Sequence, residues 1–312
     1  MVPKAVKNFS DLIEAAISLS SRTVAVVYPN NAETFSGIVE ASLALNANFL
    51  LFGDMKAIEG SLTSVPENAS KRIKTVPCEN LTVSLSRAIA SIRDEEAQIL
   101  MKGGVDTATM MRAVLSVESG LKTGRLLSDV VVLEYPKRAE NQLVIITDGG
   151  LIVAPDLKSK VEIIGNAVQV AHALGNPMPR VAVLSASEFV LPNLLSTIEA
   201  AALSKMNERG QIKGCLVDGP LALDNALSVE AAEEKGIRSE VAGRAEILVA
   251  PNIESANTLA KSATYFADLR LAHVIVGGKA PILIPSRADK SDVKLLSIAL
   301  GRVVLEFIEG SN

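Results

Sequence analysis

Ser286 and Arg287 stand side by side where a proline ends an apolar run, Ala280-Pro281-Ile282-Leu283-Ile284-Pro285. The planar guanidinium fork of arginine matches the paired oxygens of a phosphate, and a neighbouring hydroxyl can donate to an oxygen beside it. Acidic side chains follow at Asp289 and Asp292, where a carboxylate can take up a proton. The same two acids precede an amphipathic period, Val293, Leu296, Leu300, Val303 and Phe307. Asp289 as N-cap with Asp292 three residues on is therefore an equally good, purely local reading.

Other places repeat the pattern of an apolar run ending in glycine or a small polar residue. They are Lys102-Gly103-Gly104, Thr147-Asp148-Gly149-Gly150, Asp218-Gly219-Pro220, Pro251-Asn252 and Gly277-Gly278-Lys279. Glycine lets a ligand come close to the backbone, and a following helix start offers unpaired N–H groups and positive potential. Several such turns together point to an anionic ligand. A metal centre is less well served, because the two histidines, His172 and His273, have no metal-like neighbours and read as helix surface and strand. Cys215 lies in an apolar run and reads as core. Neither G-x-G-x-x-G after a strand nor G-x-x-x-x-G-K-[ST] occurs, which removes the standard dinucleotide and P-loop fingerprints.

The elements that must position these residues alternate. Short runs at 23–27, 48–52, 99–101, 143–147, 181–184, 214–217, 247–250 and 274–276 read as strands, with helical periods between them. Such alternation predicts βαβ units and mostly parallel sheets, in which ligands sit beyond the carboxyl ends of the strands. The segment Ser128 to Gln142 breaks the rhythm and marks a domain crossover. The 312 residues suffice for one large or two medium domains. A net charge of −4 without a basic stretch, 3% aromatics and no Trp argue against nucleic-acid and acidic-membrane partners. Two distant cysteines fit a reducing cytoplasm, and the first twenty residues read as a helix rather than a signal peptide.

Four blocks in order resemble the phosphate acetyl/butyryltransferase family: MKGGVDTATMMRAVL (101–115), ITDGGLIVAPDLKSKVEII (146–164), CLVDGPLALDNALS (215–228) and ILVAPNIESANTLAKSATYFA (247–267), running on to GGKAPILIPSRAD (277–289). The third and fourth lean towards the butyryl branch. The resemblance implies acyl-CoA plus phosphate exchanging to acyl phosphate plus CoA, in the cytoplasm, by a homodimer without a tightly bound cofactor. It also implies an isocitrate/isopropylmalate-dehydrogenase-like fold, with two α/β domains around an interdomain cleft. The final helix would return to the first domain, giving 1–134 plus 288–312 and 135–287.

By the same resemblance, Arg287 holds the phosphoryl group and Ser286 donates to the reacting acyl group. Arg112 contacts phosphate or CoA, with the helix start at Thr107 adding N–H donors. Acetyltransferase relatives carry a catalytic aspartate seven residues after the serine. Val293 occupies that place here, so Asp292, one position earlier, is the candidate base. Asp218, Gly219 and Pro220 would shape the CoA or acyl pocket and Asn252 would be a cleft donor; Lys279 would attract CoA phosphates, with Gly277 and Gly278 giving backbone clearance. The structural alternatives are a salt bridge for Arg287, a helix-surface pair for Arg112, a tight turn for 218–220 and a solvated Lys279. A dehydrogenase on the same fold, or a binding protein for CoA that has lost turnover, are the rival functions.

Overall fold

A computed structural model describes residues 5–62, 65–286 and 289–310. The chain opens with α1 (Phe9–Ile17), β1 (Thr23–Val27), α2 (Ala32–Ala44), β2 (Asn48–Gly53), α3 (Met55–Leu62), α4 (Glu67–Ser70) and β3 (Ile73–Pro77). It continues with α5 (Leu81–Arg93), β4 (Ile99–Lys102), α6 (Thr107–Leu115), β5 (Ser128–Glu134), β6 (Leu143–Thr147), α7 (Leu157–Ala173), β7 (Arg180–Leu184) and α8 (Leu195–Glu208). The remainder is β8 (Leu216–Leu221), α9 (Leu223–Leu227), α10 (Val229–Glu234), β9 (Ile247–Val249), α11 (Ile253–Ala267), β10 (Leu271–Val276), β11 (Ile282–Leu283) and α12 (Ser291–Gly310). Two compact units result, one from Phe9–Arg125 with the chain from Ala272, the other from Leu126–Leu271 with the residues before Phe9. The sequence set these divisions at 134/135 and 287/288. The contacts instead group β10 and β11 with the first unit and β5 with the second.

In the first unit the strand order is β3-β2-β1-β4-β11-β10. The first five run parallel, and β10 is antiparallel to β11. All four residues of β4 are buried, as expected of a strand covered on both faces. Helix starts are capped by side chains: Asn31 Oδ1 accepts from Thr34 N–H at 2.8 Å, and Asn80 Oδ1 from Val83 N–H at 3.0 Å. Such caps are worth about 1 kcal/mol each.

Helix α12 lies along this unit with most of its length buried. Gly37 of α2 lets it approach, because a Cβ there would stand 2.7 Å from Lys294 Cβ. Gly301 does the same against β11, where an added Cβ would meet Leu283 Cδ2 at 2.9 Å. Arg302, 1% exposed, donates from Nη2 to the carbonyls of Leu19 (3.2 Å) and Ser20 (2.9 Å), and from Nη1 to that of Leu45.

The second unit has the order β5-β6-β9-β7-β8, parallel except for β5 on β6. Here β8 extends past the expected end, so Asp218-Gly219-Pro220 lies inside the strand and not in a turn after it. Position explains the tolerance: β8 is last in the order, where a proline without an N–H breaks no ladder on its open side. Gly219 is needed because a Cβ would stand 2.8 Å from the Val183 carbonyl oxygen.

Cys78 and Cys215 are buried and unbridged. Burial pushes the Cys215 thiol up to about 11 and raises that of Cys78 against the opposing charge of Arg87. His172 is less exposed than a helix-surface residue, with Nε2 on the Gly214 carbonyl at 2.8 Å. Among the described residues, no helix is long and apolar enough to cross a membrane.

Replacing Arg302 by alanine would strand three carbonyls and open a cavity. We expect Arg302→Ala to lose about 3 kcal/mol or more of unfolding free energy, read from urea denaturation. A midpoint within error of the parent would remove Arg302 as the anchor of α12.

Candidate functional site

In the first unit, β1, β4 and β11 are neighbours running in one direction, so their carboxyl ends share an edge. After β4, Gly103 N–H donates to Val27 O at 3.0 Å and Gly104 N–H to Tyr28 O at 2.7 Å. A Cβ on Gly103 would fall 2.4 Å from the Val27 oxygen, and one on Gly104 2.2 Å from Asn30 Oδ1. Gly103 is required because two strand exits cross at backbone distance, whereas Gly104 faces the exposed Asn30 side chain. Clearance for a ligand is not needed to explain Gly103.

Directly beyond, Asp106 caps α6 by accepting from Thr109 N–H at 2.8 Å, which holds its carboxyl below the usual range. Thr107 is the first helical residue, as expected. Arg112 is exposed on the same helix, with Nη2 3.1 Å from Thr109 Oγ1.

Beyond β11 stands Ser286. Its backbone N–H donates to Asp289 Oδ2 at 2.6 Å, and Asp289 N–H returns a bond to the Ser286 carbonyl at 3.2 Å. Arg287 lies outside the described residues. The expectation that Asp289 caps the following helix is not met: α12 begins at Ser291, and the Asp289 carboxylate turns back to close the loop. Asp292 is exposed in the first turn of α12, its Oδ1 accepting from Val293 N–H at 2.8 Å.

Gly277-Gly278-Lys279 belongs elsewhere. Because β10 is antiparallel to β11, its carboxyl end falls at the edge of the sheet opposite Ser286. There Thr123 Oγ1 donates to the Gly277 carbonyl at 2.6 Å and Lys279 N–H to Leu121 O at 3.0 Å. Gly277 has φ 102°, which favours glycine on conformational grounds alone.

In the second unit a cavity of about 810 Å³ opens beyond β7 and β9. Leu184, Leu194, Leu195, Leu223 and Leu259 give it apolar walls, and a buried Lys160–Glu199 ion pair at 2.5 Å lends it a polar side. Asn252 lines it too, but its Oδ1 already caps α11, accepting from Ser255 N–H at 2.9 Å and Ser255 Oγ at 2.7 Å. Asp218 lies within β8, its Oδ1 accepting from Gly219 N–H at 2.8 Å. Neither Asp218, Gly219 nor Pro220 lines the cavity.

The acidic feature that sequence spacing does not disclose is Asp148. It is 4% exposed, with Oδ1 accepting from Gly150 N–H (2.9 Å) and Leu151 N–H (2.8 Å), and Oδ2 from Asp129 N–H (3.1 Å). Burial first, and the Asp129 charge second, push its carboxyl up to about 7. The antiparallel β5–β6 pairing brings these two acids together across nineteen residues of sequence.

The family described as "Phosphate acetyl/butaryl transferase" matches residues 68–301. A "Probable phosphate butyryltransferase" of Bacillus subtilis (strain 168) is 43% identical over 293 residues, covering 94% of this chain and 96% of that protein. A "Phosphate acetyltransferase" of Thermotoga maritima is 40% identical over 283 residues, covering 90% and 95%. Among solved structures, a branched-chain phosphotransacylase from Enterococcus faecalis V583 superposes with a TM-score of 0.78 at 30% identity, covering 91% of this chain and 99% of that one.

Asp148 has a consequence for stability. An ordinary aspartate has lost its proton above about 3.8, whereas folded Asp148 keeps one until about 7. Between these values the folded state binds the extra proton, so its stability falls as pH rises and levels off above the folded pKa. We expect a decline on the order of 2 kcal/mol between about pH 5 and about pH 8, flattened in Asp148→Asn. Equal pH slopes in the two proteins, read from urea titrations, would contradict this.

Proposed function

Since this chain belongs to the phosphate acetyl/butyryltransferase family and is a phosphate acyltransferase with coenzyme A as substrate, we propose that its acyl group is short, butyryl ahead of acetyl. The reaction is butyryl-CoA plus phosphate giving butyryl phosphate plus CoA. The observation that carries the reading is near-full-length similarity to a butyryltransferase, over a chain that holds the Ser286 turn at a parallel-strand edge.

In the acyl phosphate direction, the CoA thiol attacks the carbonyl carbon. A C–S bond forms, the C–O bond to phosphate breaks, and phosphate leaves with its electron pair. Arg287 grips the phosphoryl oxygens through paired N–H donors. Ser286 Oγ donates to the carbonyl oxygen as negative charge builds there, a stabilisation felt only as the transition state forms. Asp292, at the start of α12, takes the thiol proton. Thr107 and Arg112 supply donors to phosphate or CoA from the neighbouring α6.

The leucine-walled cavity of the second unit suits an apolar acyl or pantetheine chain, and Asn252 belongs to its wall. The assembly we propose is a cytoplasmic homodimer. Exposed Tyr265 and Phe266, at 73% and 90%, offer aromatic surface for a second copy. Light scattering that returns a monomer mass at working concentration would refute the dimer.

Pure protein is expected to release thiol from butyryl-CoA only when phosphate is added, with kcat/KM highest for butyryl or branched chains in an acyl-CoA panel. No phosphate-dependent release across the panel would overturn the reading. Arg287→Ala should lower kcat/KM roughly a hundredfold or more; a parental rate at saturating phosphate would remove Arg287 from the mechanism.

A further inference from the structure

Lys294 occupies a position that disfavours a cation twice. It lies in the first turn of α12, where the helix dipole is positive, and it is 1% exposed. Its ammonium donates to the Asp289 carbonyl, and its Cβ sits against Gly37 of α2. Desolvation lowers its pKa, opposed by the charges of Asp289 in the turn, Glu33 on α2 and Asp292 on its own helix. A long polar side chain kept in such a place needs a specific return, because a methionine would fill the same volume without desolvation.

That return lies in the turn it holds. Both backbone polar groups of Ser286 are bonded to Asp289, and the Asp289 carbonyl is bonded to Lys294. We propose that Lys294 is a positioning residue for acyl transfer: through Asp289 it fixes the Ser286 backbone and so the direction of the Ser286 hydroxyl. Lys294 touches no reacting atom in this scheme. The assignment rests on the proposed role of Ser286 and adds a residue that the acid and hydroxyl pattern of the sequence does not single out.

The test compares wild type, Lys294→Met, Ser286→Ala and the double variant in phosphate-dependent thiol release, with thermal midpoints and amide exchange at Ser286 and Asp289. Lys294→Met should lower kcat about tenfold and leave KM for acyl-CoA within about twofold. Its thermal midpoint should stay near the parent's, while exchange at the two amides accelerates. The double variant should be no slower than Ser286→Ala, because both changes remove one hydroxyl's contribution. Should Lys294→Met fail to fold, Asp289→Ala removes the next link, the carboxylate that accepts from the Ser286 N–H, and should show the same non-additivity with Ser286→Ala.

Parental kcat in Lys294→Met overturns the proposal, as do losses that multiply in the double variant without faster exchange. A wild-type protein inactive on every acyl-CoA overturns the reading of the reaction and, with it, the catalytic role. Amide exchange, which needs no turnover, separates that outcome from a failure of the Lys294 link itself.

Discussion

Two buried cations on one helix fix the geometry of the first unit. Arg302 meets the carbonyls that follow α1 and the Leu45 carbonyl at the C-cap of α2, where helix dipoles concentrate negative potential. Desolvation lowers its pKa, yet three oxygens in fixed directions hold the guanidinium, whose planar fork is preorganised for them. Lys294 stands eight residues earlier, roughly 12 Å along the helix. The pair therefore sets both the axial position of α12 and its rotation. Since Lys294 holds the Asp289 carbonyl, the register of the whole helix is transmitted to the Ser286 turn.

Much of the architecture was legible because its strands are buried on both faces. Continuous apolar runs such as Val24-Ala25-Val26-Val27 and Leu143-Val144-Ile145-Ile146 need no tertiary information to read. The edge strand β3, Ile73-Lys74-Thr75-Val76-Pro77, is mixed in polarity and does not stand out. Strand direction is less accessible still. A rule that places ligands beyond carboxyl ends gathers all the glycine turns together, but β10 runs the other way and carries Gly277-Gly278-Lys279 to the far edge. The family blocks supply a reaction and a serine–arginine pair. They do not supply the Asp148–Asp129 contact, which depends on strand pairing, or the Lys294 contact, hidden in an otherwise amphipathic helix.

Backbone crowding explains several residues that composition alone would assign to ligand binding. Gly103 and Gly219 each stand where a Cβ would collide with the protein's own main chain. Asn252 and Asp106 spend an acceptor on capping helices. The acceptors and donors left to act on substrates are thus a smaller set than the motif list implies, held in place by the larger one.

The two cysteines bear on chemistry in which a free thiol is itself a reactant. With its thiol pushed up to about 11, Cys215 is ionised in roughly one molecule in ten thousand near neutral pH. Cys78 is raised as well, and both side chains are buried. Thiol–disulfide exchange proceeds through the thiolate and needs access to it. The polypeptide is thereby insulated from oxidised forms of its own thiol substrate, and mixed disulfides with coenzyme A are suppressed by burial, without removing cysteine from the core.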